Sequence, residues 1–143
     1  MSMSSTSTQR LSMCDARLVQ LFSKVAESVD IIITEGHREL AAEAQNIAKG
    51  TSHLKDPRDC LHCAEPSLAV DVVRVNPDRD PHDPVDWGDA MWFRDFAQSY
   101  VKPNADALGL TIRWGGAWND PKDWTLNADG AWSDLPHFEI HNV

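Results

Sequence analysis

Apolar positions recur along the chain with two periods, and each period predicts one kind of element. Spacings of three and four residues predict an amphipathic helix over residues 15–29, and the Ala and Glu content of residues 38–49 predicts a second helix, closed by Gly50. The same spacing predicts a third helix from residue 86, which Pro103 kinks or ends because proline lacks the amide hydrogen that a helix interior needs. The chain therefore contains at least three helices.

Short runs rich in β-branched residues predict strands, which lie between the helices. These runs cover residues 30–34, 67–75, 109–114 and 137–142. Helices interleaved with three or four short strands are typical of an α+β domain. At 143 residues we expect one such domain over the whole chain, without a separate cell-wall-binding module, and with a flexible or loosely packed Ser/Thr-rich segment over residues 1–13.

Two of the strands carry polar side chains on one face. Alternation along a strand places Asp71 opposite the apolar face of its own segment. In the last segment Phe138 and Ile140 share one face, whereas His137 and Glu139 share the other. Burying a carboxylate is costly unless a cation, a metal or several donors compensate it. These strands supply an Asp, a His and a spare carboxylate, as a zinc hydrolase requires.

Charge and hydropathy exclude several partners. Thirteen Lys and Arg residues against 22 acidic residues give a net charge of −9, which argues against a nucleic-acid partner. The chain has no run of about 18 apolar residues, so we expect no membrane insertion. The first 13 residues lack the hydrophobic core of a Sec signal peptide, which predicts a cytosolic protein.

Three cysteines, Cys14, Cys60 and Cys63, are an odd number, which favours free thiols over a disulfide framework. Cys60 and Cys63 have CxxC spacing. A structural zinc site would need a second pair of ligands nearby, and a redox motif would need a thioredoxin-like setting. The role of these two thiols stays open, and His62 between them is the better candidate ligand.

The motifs that carry a family resemblance follow one another in a fixed order along residues 10–142. They are Gly36-His37-Arg38, Gln45, Lys49-Gly50-Thr51-Ser52, His62, Ala69-Val70-Asp71, Gly109-Leu110, Trp114-Gly115-Gly116-Ala117-Trp118 and Asp134-Leu135-Pro136-His137-Phe138-Glu139. This order resembles the zinc peptidases that include D-alanyl-D-alanine carboxypeptidases of the VanY type and phage L-alanyl-D-glutamate endopeptidases. The short form without extra modules is most similar to the phage endolysins.

The resemblance implies a fold and a function. The fold would be hedgehog/D-Ala-D-Ala peptidase-like, with an antiparallel sheet of three to four strands packed with helices and a zinc site on the sheet. The function would be cleavage of the L-alanyl-D-glutamate bond of bacterial peptidoglycan, by a monomeric endolysin that stays in the host cytoplasm until lysis. A D-alanyl-D-alanine carboxypeptidase or dipeptidase, and a non-enzymatic zinc-binding module, are the alternatives.

The resemblance also implies roles for individual residues. His62, Asp71 and His137 would bind Zn²⁺ and leave a fourth position open for water. Asp134 would be the general base, and Arg38 would steady the substrate carboxylate or the tetrahedral oxyanion. The residues expected to shape the cleft are Trp114 and Trp118. Glu139 would either contact a zinc-bound His or be a surface strand residue.

The sequence departs from the family pattern around the first ligand. Cys60 stands where the family has Ser, and Asp71 follows His62 by nine residues, two more than usual. A loop can absorb two extra residues while the strand keeps its register. His53 is the competing first ligand, but it precedes Asp71 by 18 residues, so His62 is preferred.

A second departure follows Ala117, which stands where an acid is common. Residues 119–133 form a long acidic segment whose oxygens could coordinate Ca²⁺, although their spacing does not match an EF-hand. A solvated acidic loop is the favoured interpretation. The candidate calcium ligands are Asn119, Asp120, Asp123, Asn127 and Asp129.

Overall fold

The computed structural model describes residues 3–52, 54, 56, 60–118, 120–126 and 134–140. The helices and strands of these residues are α1 (Ser5–Ser12), α2 (Ala16–Val25), β1 (Ile31–Glu35), α3 (Leu40–Lys49), β2 (Ala69–Arg74), α4 (Ala90–Phe96), α5 (Lys102–Ala107), β3 (Ile112–Trp114) and β4 (His137–Ile140). A 3₁₀ turn, Leu61–Cys63, precedes β2, and a π-helical segment, Ala97–Val101, joins α4 to α5.

The four strands form one antiparallel sheet in the order β1-β2-β4-β3. The predicted α+β fold with an antiparallel sheet is therefore confirmed. In the pairing of β2 with β4, Asp71 lies directly opposite His137. Sequence patterns predict each strand but not this pairing, which brings together residues 66 positions apart.

The main core lies on the sheet face opposite Asp71 and His137. Helix α2 packs its apolar stripe against this face, where Val70 and Phe138 are fully buried. The Phe22 and Phe138 rings meet edge to face with their centroids 5.3 Å apart. Alternation along β2 and β4 thus separates a core face from a polar face, as the sequence predicts.

The N-terminal segment corrects one expectation. Residues 5–12, expected to be flexible or loosely packed, form α1, which begins at the cap Ser4. Leu11 is 2% exposed, and the Ser7 hydroxyl accepts a hydrogen bond from the Ile33 amide at 3.0 Å. Arg10 donates to the Ile33 carbonyl. Helix α1 therefore covers β1 at the edge of the sheet, a tertiary role that its Ser/Thr-rich sequence does not reveal.

The helix continues past Pro103, so of the two expected effects of this proline, a kink or an end, the end was wrong. The chain stays helical from Ala90 to Ala107, and the π-helical segment lies immediately before Pro103. The Asn104 side chain donates to the Tyr100 carbonyl at 2.7 Å and so satisfies a carbonyl near the proline. A widened turn with a side-chain donor lets the helix continue past a residue that lacks an amide hydrogen.

Over the described residues, no helix combines the length and the apolar character needed to cross a membrane.

Candidate metal centre

Two strands and one turn bring three potential metal ligands together. Asp71 on β2 and His137 on β4 face each other across the sheet. His62 lies on the 3₁₀ turn, and its carbonyl accepts a hydrogen bond from the Arg38 amide at 2.8 Å. The donor atoms of the three side chains all lie within 4.8 Å of one another. The structure therefore brings together the three residues that the family resemblance implied as ligands.

Asp71 occupies the centre of this cluster. Its Oδ1 lies 3.3 Å from Nε2 of His62 and 3.3 Å from Nδ1 of His137. Both histidines are buried, and the Asp71 side chain is 16% exposed. One carboxylate oxygen thus faces two imidazole nitrogens in a site largely closed to water.

The outward nitrogen of each histidine is held by a hydrogen bond. Nδ1 of His62 donates to the Gly36 carbonyl at 2.8 Å, and Nε2 of His137 donates to Oε1 of Glu139 at 2.8 Å. When the rings are neutral, such bonds fix the tautomer and leave the lone pairs on the nitrogens that face Asp71. Glu139, whose side chain is 13% exposed, is therefore a histidine partner rather than a surface strand residue.

The chemistry of this donor set fits a metal ion. Asp71 Oδ1 is buried and, while both rings are neutral, accepts no hydrogen bond from the residues that the structure describes. A buried anionic oxygen pointing at two lone pairs is unfavourable unless a cation lies between them. Two imidazoles and one carboxylate suit Zn²⁺ better than the oxygen-seeking Ca²⁺ or Mg²⁺. His62, Asp71 and His137 are thus suited to hold one such ion.

Without a metal, a proton takes the place of the cation. Burial lowers the pKa of His137, but hydrogen bonding to Asp71 and Glu139 outweighs it and raises this pKa to about 10. Burial raises the pKa of Asp71, and its bonds to His137 and His62 overcome that effect and hold the pKa below the usual range. The Asp71 carboxylate is therefore ionised at neutral pH.

Asp134 lies beside the cluster. Its Oδ2 is 3.8 Å from Nδ1 of His137, and its side chain is 39% exposed. Burial and the nearby charge of Asp71 raise the Asp134 pKa, which makes this carboxylate a better proton acceptor. It combines access to solvent with a place next to a ligand, as a general base requires.

Gly115 holds the turn that carries Asp134. Its carbonyl accepts from the Asp134 amide at 2.8 Å, and its amide donates to the His137 carbonyl at 2.8 Å. A Cβ atom at Gly115 would overlap the Asp134 carbonyl oxygen. Only glycine allows this close approach, which fixes the expected base relative to His137.

Arg38 is engaged by other side chains. Its guanidinium forms a two-point ion pair with Glu35 and donates to Oε1 of Glu43 at 2.7 Å. The hydrogen bond to Glu35 leads the effects that raise the Arg38 pKa. Glu43 is fully buried, and Cys60 Sγ lies 3.6 Å from the guanidinium. Sequence reasoning missed both glutamates, because their partner is set by tertiary packing.

The two tryptophans expected to shape the cleft have different places. Trp114 is 0% exposed, packs in the core and donates from Nε1 to the Leu135 carbonyl at 2.7 Å. The expectation that it lines the cleft was wrong, since this position on β3 faces the core. The Trp118 ring lies 5.5 Å from the His137 ring, centroid to centroid, and so borders the candidate metal centre.

Some expectations fall on residues outside the described part of the chain. His53, the competing first ligand, is one of them, as are Asn119, Asn127 and Asp129 of the candidate calcium loop. In the described part of that loop, the Asp120 carboxylate accepts from the Asp123 and Thr125 amides. The calcium site stays a prediction.

The protein is a small α+β domain with a buried His-Asp-His cluster on one face of its sheet. An accessible carboxylate lies beside the cluster, and together these groups match the donor set of a hydrolytic metal centre. The class that the fold and the site suit is that of the peptidases, with a cluster that could hold a metal ion. Comparison with known proteins shows to which peptidase family the chain belongs.

A family model described as phage L-alanyl-D-glutamate peptidase matches residues 1–141. The L-alanyl-D-glutamate peptidase of Escherichia phage T5 is 33% identical over 111 residues, which cover 78% of this chain and 75% of that protein. The chain belongs to the phage L-alanyl-D-glutamate peptidase family, which confirms the resemblance found in the sequence.

A solved structure shares the fold. The crystal structure of the Serratia marcescens L-Ala D-Glu endopeptidase ChiX superimposes with a TM-score of 0.71 and covers 96% of this chain and 87% of that one. The two sequences are 23% identical, so this likeness is evidence for the fold alone.

Proposed function

We propose that this protein is a zinc peptidase that hydrolyses the L-alanyl-D-glutamate bond of bacterial peptidoglycan stem peptides. The observation that carries the proposal is the buried Asp71 oxygen facing two fixed histidine lone pairs, with Asp134 beside them. Family membership supplies the substrate class, because the family and the phage T5 relative carry this activity in their names.

His62, Asp71 and His137 would hold the zinc ion, which leaves a fourth position open. Bound zinc supplies a Lewis acid and lowers the pKa of water towards about 7. The Gly36 carbonyl and Glu139 keep the two imidazoles in the tautomers that ligation needs. Glu139 also makes His137 a stronger ligand, because its charge raises the basicity of the ring.

Asp134 would move the proton in the reaction. Its raised pKa and its place beside His137 suit it to accept a proton from the attacking water and deliver it to the leaving amine. Trp118 forms one wall of the site, next to His137. The Arg38 guanidinium already binds two carboxylates, so Arg38 would not contact the substrate. It would act instead by holding the turn at His62, whose carbonyl accepts a hydrogen bond from the Arg38 amide.

In this proposal the protein acts as a phage endolysin. It is made in the host cytoplasm and reaches the peptidoglycan when the cell is lysed. It works as a monomer, and its macromolecular partner is the cell wall itself. The phage family to which the chain belongs supports this role.

A digest of purified peptidoglycan tests the reaction. Zinc-loaded protein is expected to release fragments with a new amino-terminal D-Glu, detected by labelling of amino groups and mass spectrometry. Asp134→Asn protein serves as the control and is expected to release few or none. Loss of a terminal D-Ala would show the carboxypeptidase alternative, and an uncut wall would show a non-enzymatic zinc module.

A further inference from the structure

The proposed substrate poses an electrostatic problem for this protein. A glutamyl residue carries a second carboxyl group besides the one that continues the peptide, and that group is anionic at neutral pH. The protein has a net charge of −9, and Asp71, Asp134 and Glu139 surround the site. An anionic substrate therefore requires a local cation besides the metal.

The arginine expected to meet this carboxylate is already neutralised. Arg38 binds Glu35 through two nitrogens and Glu43 through a third contact. Glu43 is fully buried, so removing Arg38 from it would leave a buried charge unpaired. Arg38 is consequently a poor receptor for a further anion.

Arg113 is placed differently. It lies on β3 directly opposite Glu139 of β4, and paired residues of an antiparallel sheet project from the same face. That face carries His137, whose Nε2 donates to Glu139. Arg113 thus projects from the polar face, one strand away from a metal ligand.

The Arg113 guanidinium lies against Trp118, the residue that borders His137. Nη2 donates to the Trp118 carbonyl at 2.9 Å, and the guanidinium carbon lies 5.1 Å from the centre of the Trp118 ring. The same ring borders His137 at 5.5 Å. Trp118 therefore spans the space between the arginine and the metal centre.

Arg113 keeps binding capacity in this position. Within the described part of the chain it forms no ion pair, and its buried Nε has no hydrogen-bond partner. A guanidinium has five donors in a planar fork that matches a carboxylate. The Trp118 carbonyl occupies one of these donors and Nε is buried, so the remaining Nη donors are the ones that can bind an incoming anion.

We propose that Arg113 binds the free carboxylate of the substrate's glutamyl residue, and that it makes the enzyme prefer acidic stem peptides over stems in which this carboxylate is amidated. This inference rests on the proposed function, since it concerns the substrate of the same site. Arg113 then sets specificity, while the reacting bond lies at the metal centre.

The test compares two substrates that differ in one charge. Zinc-loaded enzyme is assayed for kcat/KM on a stem peptide with a free glutamyl carboxylate and on the same peptide with that carboxylate amidated. Wild-type protein is expected to prefer the acidic peptide by about 10-fold to 100-fold, the range for a charged hydrogen bond. Arg113→Gln is expected to lose most of this preference, and Arg113→Lys to retain part of it.

Two controls separate this role from structural effects. Arg17→Gln removes one positive charge from α2, on the core side of the sheet, and is expected to leave the preference unchanged. Zinc content of each variant reports whether the site still forms. If Arg113→Gln slows both substrates by the same factor, Arg113 only supports Trp118 and the inference is wrong. If wild-type protein cuts neither peptide, the proposed function itself fails.

Discussion

Asp71 shows how one residue can define a site. Its Oδ1 faces His62 and His137 at 3.3 Å each, and both rings have their other nitrogen hydrogen-bonded elsewhere. The lone acid in an apolar strand could be identified from the sequence, because a buried carboxylate needs compensation. The partners of Arg38 and the place of Arg113 could not, because they depend on which strands and turns become neighbours.

Zinc binding is expected to release a proton from His137. Its pKa of about 10 in the metal-free protein keeps the ring protonated at neutral pH, whereas zinc needs the Nδ1 lone pair. Below that pKa, zinc affinity should fall about tenfold for each unit by which the pH drops. Calorimetry in buffers of different ionisation enthalpy measures the released proton.

Glu139→Gln provides the matched control for this experiment. Removing one of the three carboxylates that raise the His137 pKa should reduce the number of protons released at about pH 7.5 and weaken zinc binding by about 10-fold to 100-fold. If zinc binds wild-type protein with no proton release at this pH, His137 is already neutral and the account of its charge is wrong.

Asp134→Asn is expected to keep zinc and lose activity. The amide fills the same space but cannot accept the proton, so kcat should fall by about 10²-fold to 10⁴-fold. Zinc content and cell-wall hydrolysis measure the two properties separately. His137→Ala, in contrast, should lose both. Near wild-type hydrolysis by the Asp134 variant would show that another group is the base.

At the scale of elements, the site depends on supports that lie outside the sheet. Helix α1 lies against Gly36, where a Cβ would overlap the Arg10 carbonyl oxygen, and the Gly36 carbonyl orients His62. The Gly115 backbone likewise holds the Asp134–His137 turn, through hydrogen bonds to the Asp134 amide and the His137 carbonyl. Strand and helix periods predict most elements, but α1 has too few apolar residues for its period to be visible in the sequence.

Leu11→Ala tests the contribution of α1. Leu11 is 2% exposed in the main core, so its truncation should lower the free energy of unfolding by about 2–5 kcal/mol. Urea denaturation measures this change. Met13→Ala is the control, since Met13 is 54% exposed and its truncation should have little effect. Equal stability of the two variants would mean that α1 is not docked on the core.

At the scale of the whole molecule, sheet topology joins distant parts of the sequence into one centre. The turn at His62, strand β2 and strand β4 meet only because β4 inserts between β2 and β3. The order of motifs in the sequence indicated the candidate ligands, and the sheet topology explains how motifs so far apart come together. Because the net charge is −9, binding of an anionic substrate needs a local cation, which is the role proposed for Arg113.

The central claim is that His62, Asp71 and His137 hold one zinc ion on which peptidoglycan hydrolysis depends. The measurement that tests it most directly is a titration of chelator-stripped protein with zinc, followed by the release of amino groups from purified peptidoglycan. Activity is predicted to be absent without zinc, to rise in proportion to added zinc and to reach its plateau at one ion per chain. Full activity of the stripped protein, or a plateau unaffected by His62→Ala, would contradict the account.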